Sequence, residues 1–338
     1  MSVTSSEAAP ASCCVTGLRQ LQAGSAAVTA GAGSAEVRPW PAVGSGSRRM
    51  TDVPENPVER TTNGFLIRRV EALRSLRGNP FEAHIAEFGP AKSIVVGRAA
   101  TSILNRVFGA NFADLDRIRQ LNEWFRQYHA IPPYQVPTTA DRLSRPPSGF
   151  VKLPELEYVV LESDDVGPID PAPEVVVEEV AKEDAETFLH IYAEALGYSS
   201  AIALPLCRSI ELLIGSPDVV SYIAKVAGEP VSVGQLFLGP EGAAYLGSTG
   251  IIPRARHIGC DAALDQRRMT DAYRAGYRRL CRRVAINSQD WRNAARTGFR
   301  TAYREEVYAP TVMLSGSGTR PAETPTSGAG CCAVQLRV

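Results

Sequence analysis

The stretch IIPRARHIGCDAAL, residues 251–264, combines side chains and spacing that suit phosphate chemistry. A strand runs into it, Pro253 forbids further pairing, and a loop containing Gly259 leads into a helix at Ala262. The first amides of a helix have no intrahelical acceptor and sit at the positive end of its dipole. Together they make a receptor for phosphate oxygens, with Gly259 letting the backbone come close and Arg256 adding charge. An ordinary strand-to-helix turn with a glycine has the same spelling, so the loop by itself leaves both readings open. Cys260 lies inside the loop, a placement that argues against a nucleophilic role. His257 either adds a phosphate contact or stands exposed.

Such a loop works only if strands and helices hold it, and residues 174–310 have the grammar for that. EVVVEEV reads as a strand and KEDAETFLHIYAEALG as a helix. In that helix Phe188, Ile191, Tyr192, Ala195 and Leu196 form one apolar stripe, Gly197 ends it, and His190 falls off the stripe. A second helix is expected over 205–214. VSYIAKVA, VSVGQLFL and AAYLGSTGII, joined by short glycine-containing turns, read as an antiparallel meander. A helix over 262–275, the strand RRLCRRVAI, a short helix over 290–296 and the strand FRTAYREEVY complete the block. This order predicts an α/β unit with an antiparallel front half. Arg278, Arg279, Arg282 and Arg283 crowd one strand, which calls for partial exposure or for acids from the preceding block; a phosphate patch is the other reading.

That preceding block, residues 51–162, offers the strands HIAEF, SIVVGRA, IPPYQVP and LEYVVL and an amphipathic helix with Leu115, Ile118, Leu121 and Phe125 at helical spacing. The acidic, Pro/Gly-rich residues 163–173 read as a linker, and residues 1–50 and 311–338 as disordered tails too poor in large apolar residues to pack. The Ser/Ala-rich start also suits a transit peptide, or a true start at Met50. The 36 basic residues are balanced by 36 acidic ones, which argues against a nucleic-acid binder. No run approaches the roughly 18 apolar residues of a spanning helix, so no membrane partner is expected. Seven cysteines without a CxxC and four scattered histidines give no metal template, and free thiols fit a cytoplasmic protein.

The junction V-x-P-x-x-R-x-x-G-x-G/A-x-x-L after a meander resembles the acyl-CoA site of the GNAT superfamily of N-acyltransferases. Ile251, Pro253, Arg256, Gly259 and Leu264 fall on its positions. NSQDWRNAARTGF, residues 287–299, is similar to the family's N-x10-G-F segment. The preceding block, with its own Gly149-Phe150 but no R-x-x-G-x-G/A, resembles the degenerate leading half of tandem members. The resemblance implies a mixed, largely antiparallel central sheet flanked by helices, in tandem with a degenerate half-domain that shapes the acceptor pocket. It implies acetyl-CoA as donor, held by Ile251, Ile252, Pro253, Arg256, His257, Gly259, Cys260, Asp261, Ala262, Asn287 and Asn293. AAYLGSTGII should splay from RRLCRRVAI and leave unpaired backbone near residues 250–252 for the pantetheine arm. A primary amine of a small molecule would then attack the thioester directly.

Two positions depart from the pattern. Asp261 replaces the second Gly/Ala and sets a carboxylate beside the expected diphosphate, where it either caps helix amides or repels the ligand. Ala294 stands where many relatives carry the tyrosine that protonates the departing thiolate; Tyr303 or Tyr245 could replace it, or each could be an ordinary packed tyrosine. The competing expectation is therefore a catalytically silent module of the same fold that binds CoA or another ligand. Acetylation of protein N-termini or lysines is disfavoured, because the leading block should restrict a peptide groove.

Overall fold

The computed structural model describes residues 56–97, 103–138, 148–153, 158–163, 174–198, 200–240 and 242–311. The expected tails and linker lie outside these residues, apart from Ser163 and Thr311 at their ends, as do the paired cysteines near each terminus. In chain order the elements of the first block are α1 (Pro57–Arg74), β1 (Ala83–Phe88), β2 (Ala91–Val96), β3 (Arg106–Phe108), α2 (Leu115–Arg126), β4 (Tyr134–Thr138), β5 (Phe150–Lys152) and β6 (Tyr158–Ser163). The second block contributes β7 (Val175–Glu179), α3 (Ala185–Leu196), α4 (Ser200–Glu211), β8 (Val219–Val226), β9 (Glu229–Leu238) and β10 (Ala243–Ile251). It ends with α5 (Cys260–Arg274), β11 (Arg279–Ala285), α6 (Gln289–Arg296) and β12 (Arg300–Pro310).

All twelve strands among the described residues share one mixed sheet in the order β1-β2-β3-β4-β12-β6-β11-β10-β9-β8-β7, with β5 also on β12. The meander β8-β9-β10 is antiparallel, as its short turns require. The centre is less local. β6, the last strand of the first block, lies between β11 and β12, and β12 pairs with β4, β5 and β6. The expected closing strand of the second block therefore finds its ladder partners in the first block. Each block completes the other's sheet.

Helix α1 is absent from the sequence expectations. Its start is well signalled: Asn56 accepts the Val58 amide at 3.1 Å, Pro57 opens the first turn and Glu59 follows. Its stripe is obscured because Glu59, Thr61, Thr62, Asn63 and Arg69 are buried beside Phe65, Leu66, Val70 and Leu73. α1 packs on both blocks. Leu66, Val70 and Leu73 join Ile94 and Val96 of β2 and Ile202 and Leu206 of α4, while the Phe65 ring lies 5.5 Å from Phe237 and 5.3 Å from Tyr245. Below the first block's strands, Ile118, Leu121 and Phe125 of α2 close a second core, but Leu115 at the helix start is exposed.

Two of the crowded arginines find acids on elements of the second block. Arg282 is buried and pairs with Asp265 of α5; Arg283 donates to Glu305 of β12 at 2.6 Å. Glu305 also accepts from Gln135 of β4 at 2.8 Å, and Gln135 donates to Asn63 of α1 at 3.0 Å. A polar chain thus crosses the middle of the sheet. Arg278 stacks on the Tyr273 ring at 3.8 Å. No helix among the described residues is long and apolar enough to cross a membrane, and no three of their metal-ligating side chains converge.

Candidate functional site

β10 and β11 run parallel but pair only over Ala243–Tyr245 against Arg279–Cys281. Beyond Tyr245 the ladder ends, although β10 continues to Ile251. β10 is also irregular against β9 between Gly247 and Gly250. The gap opens into a cleft of about 810 Å³ formed by the end of α3, the last residues of β10, the loop into α5 and one side of α6. Its size is that of an ordinary small-molecule site.

The loop supplies the cleft with donors. After Ile251 the chain makes a single 3-10 turn at Pro253–Ala255, then a left-handed His257 (φ +74°) and a left-handed Gly259 (φ +94°) before α5 begins. A side chain at residue 259 would make that backbone conformation costly. Among the described residues no side chain caps α5, and Ala263 is the first residue whose amide bonds back, to Gly259 O at 3.1 Å. The amides of Cys260, Asp261 and Ala262 are left without an intrahelical acceptor in residues that line the cleft. Burial pushes the Cys260 thiol above its ordinary value, against a reactive thiolate.

Ile251, Arg256, His257, Gly259, Cys260, Asp261, Ala262 and Asn293 of the expected donor residues line this cleft. Ile252 is buried and its amide bonds Val231 O at 3.1 Å, so it serves the fold beneath the loop. Pro253 is exposed at the 3-10 turn, and Asn287 is exposed with φ +60°, its carbonyl accepting from Arg292. Neither residue is part of the lining.

The two tyrosines lie elsewhere. Alternate residues of a strand face opposite sides of a sheet. Ala244 and Leu246 share a core with Leu264 and Met269 of α5, whereas Tyr245 meets Phe65 of α1. Tyr303 packs with Cys281 and Val58 on that same α1 side, and its hydroxyl has no hydrogen-bond partner among the described residues. Burial pushes the Tyr303 hydroxyl well above its ordinary value, with Glu305 and Glu59 adding to the shift. Both residues are therefore outside the cleft lining, on the face opposite α5. Ala294 is fully buried in α6.

Asp261 does not cap its own helix. One of its oxygens accepts from Asn293 Nδ2 at 3.1 Å; the other lies 3.9 Å from Arg282 and has no hydrogen-bond partner among the described residues. Asp265, one turn further on the same face of α5, also lines the cleft and pairs with Arg268 (2.6 Å) and Arg282. Burial opposes the charge on Arg282, and Asp265 and Asp261 outweigh it, holding its guanidinium above the ordinary value. Asp290 of α6 is the third carboxylate in the lining; burial, then Asp261, pushes it up to about 6. Asp265 had an available signal, its i+4 spacing from Asp261. Asp290 had none, because only folding sets α6 against α5.

No family model and no curated protein matches the sequence. Solved structures do. A GCN5-related N-acetyltransferase from Kribbella flavida aligns with a TM-score of 0.51 at 14% identity, over 72% of this chain and 95% of that one. A functionally unknown conserved protein from Staphylococcus epidermidis ATCC 12228 gives 0.51 at 10% identity, over 71% and 99%. With its antiparallel meander, its parted β10 and β11 and the helix α5 between them in sequence, the chain has the fold of the GCN5-related N-acetyltransferases.

Proposed function

We propose that the chain is a cytoplasmic N-acyltransferase that moves an acetyl group from acetyl-CoA to a primary amine of a small molecule. The observation that supports this reading is the coincidence, in one cleft, of a strand edge freed from its neighbour and a helix start without a cap. The first-turn amides of α5 and the Arg256 guanidinium suit a diphosphate, and the free edge of β10 near Gly250 and Ile251 suits the amides of a pantetheine arm. Acetyl-CoA supplies an activated thioester carbonyl when bound. The chain's own work is to hold that ligand in line with the amine, exclude water and take the proton from the ammonium group. Asp290, raised toward neutrality inside the cleft, is the carboxylate best matched to that last role. Cys260, buried and with its thiol pushed up, takes no covalent part.

A second reading is a ligand-binding module without turnover. Asp261 favours it, because the carboxylate stands in the lining beside the very amides a diphosphate would use. Calorimetry with acetyl-CoA, followed by a thiol-release screen over small amines, separates the readings. Binding with turnover upholds the enzyme; binding without turnover, or no heat at millimolar donor, overturns it in favour of the silent module. Arg256→Ala should weaken donor binding about 10- to 100-fold, the 1.5–3 kcal/mol of a hydrogen bond to a charged group. Gly259→Val should abolish binding while leaving the thermal midpoint within a few degrees.

A further inference from the structure

The parting of β10 from β11 and the irregularity of β10 against β9 surround one side chain that belongs to none of these strands. Arg268, two turns into α5, is wholly buried. Its Nη1 donates to Gln235 O of β9 at 3.3 Å and, in β10, to Gly247 O at 3.2 Å and Thr249 Oγ1 at 3.0 Å. Its Nε donates to Leu264 O at 3.3 Å and its Nη2 to Asp265 Oδ1 at 2.6 Å. The other oxygen of Asp265 accepts from Arg282 of β11. A continuous set of charge-assisted bonds therefore runs from β9 and β10 through α5 to β11, across the point where the two strands separate. Room for it comes from Gly234, where a Cβ would lie 2.8 Å from Arg268 Nη1.

We infer that Arg268 is the positioning residue of the donor cleft: its guanidinium holds the bulge that turns β10 away from β11, and Asp265 with Arg282 anchors that wedge to β11. The inference rests on the proposed acyl-CoA site for its functional meaning, and on the hydrogen bonds alone for its structural one. A guanidinium is needed because a single group must reach three main-chain carbonyls, a hydroxyl and a carboxylate, which an ammonium cannot span.

The test compares Arg268→Lys, Arg268→Met and Gly234→Ala with Leu121→Ala, a core truncation in α2 remote from the cleft. CoA affinity, thermal midpoint and amide exchange across residues 246–251 are read for each. Gly234→Ala displaces the guanidinium without removing it and keeps the test open should Arg268→Met fail to fold. The expected result is a CoA Kd raised at least tenfold in Gly234→Ala and Arg268→Lys, and faster exchange confined to residues 246–251. Leu121→Ala should lose a similar number of degrees and keep its Kd. Wild-type affinity in a folded Gly234→Ala protein, or an equal loss of affinity in Leu121→Ala, overturns the inference. Should the unmodified protein bind no CoA, the proposed function falls separately, and unchanged exchange at residues 246–251 in Gly234→Ala then overturns the brace as well.

Discussion

Asp261, Asp265 and Asp290 place three carboxylates around a cleft whose amides suit an anion, with Arg282 and Arg268 as the buried counter-charges. The third carboxylate is the one left over. Asp290 moves from 3.8 to about 6, so between those values the folded chain keeps a proton that the unfolded chain has released. Its contribution to stability is whole below the unfolded value and is lost as pH rises through about 6. Asp290→Asn should therefore raise the thermal midpoint by an amount that grows from pH 4.5 to pH 7 and then levels off; a gain flat over that interval would count against the assignment. The loop residues were legible in the sequence because their spacing is local. The arginines of β11 were legible as a problem, but not the partners of Arg282 and Arg283, since Asp265 and Glu305 reach them from α5 and β12 only after the sheet is assembled.

At the level of elements, the meander and the strand-to-helix junction followed from period-2 runs and short glycine turns, and they appear within a few residues of their expected bounds. α1 did not, although it joins the two blocks. A helix that buries threonines, an asparagine and an arginine among its apolar residues has no clean 3.6-residue stripe to read. Leu115 shows the opposite fault: it keeps helical spacing yet sits at the first turn, clear of the core. Truncation separates the two cases. Phe65→Ala, which removes a ring wedged between Phe237 and Tyr245, should cost about 3–5 kcal/mol in denaturant unfolding. Leu115→Ala should stay within about 0.5 kcal/mol, the range of ordinary surface changes.

For the whole molecule, the governing fact is that β6 and β12 cross between blocks. Short-range patterns give strand positions but carry no information about which ladder a strand joins, so this exchange was beyond reach of the sequence. Severing the chain between Ser163 and Glu174 should give two fragments that aggregate when expressed alone and form a soluble 1:1 complex when expressed together. Two fragments that each melt cooperatively in isolation would refute this.

The exchange also sets an order for biosynthesis. When β6 leaves the ribosome, β11 and β12, the strands that flank it, have yet to be translated. β4 likewise has one side open until Arg304–Tyr308 arrives. The leading half must wait with exposed ladder edges, a period in which a chaperone or a slow codon tract would matter most. A premature stop just before Arg300 would leave no finished half behind.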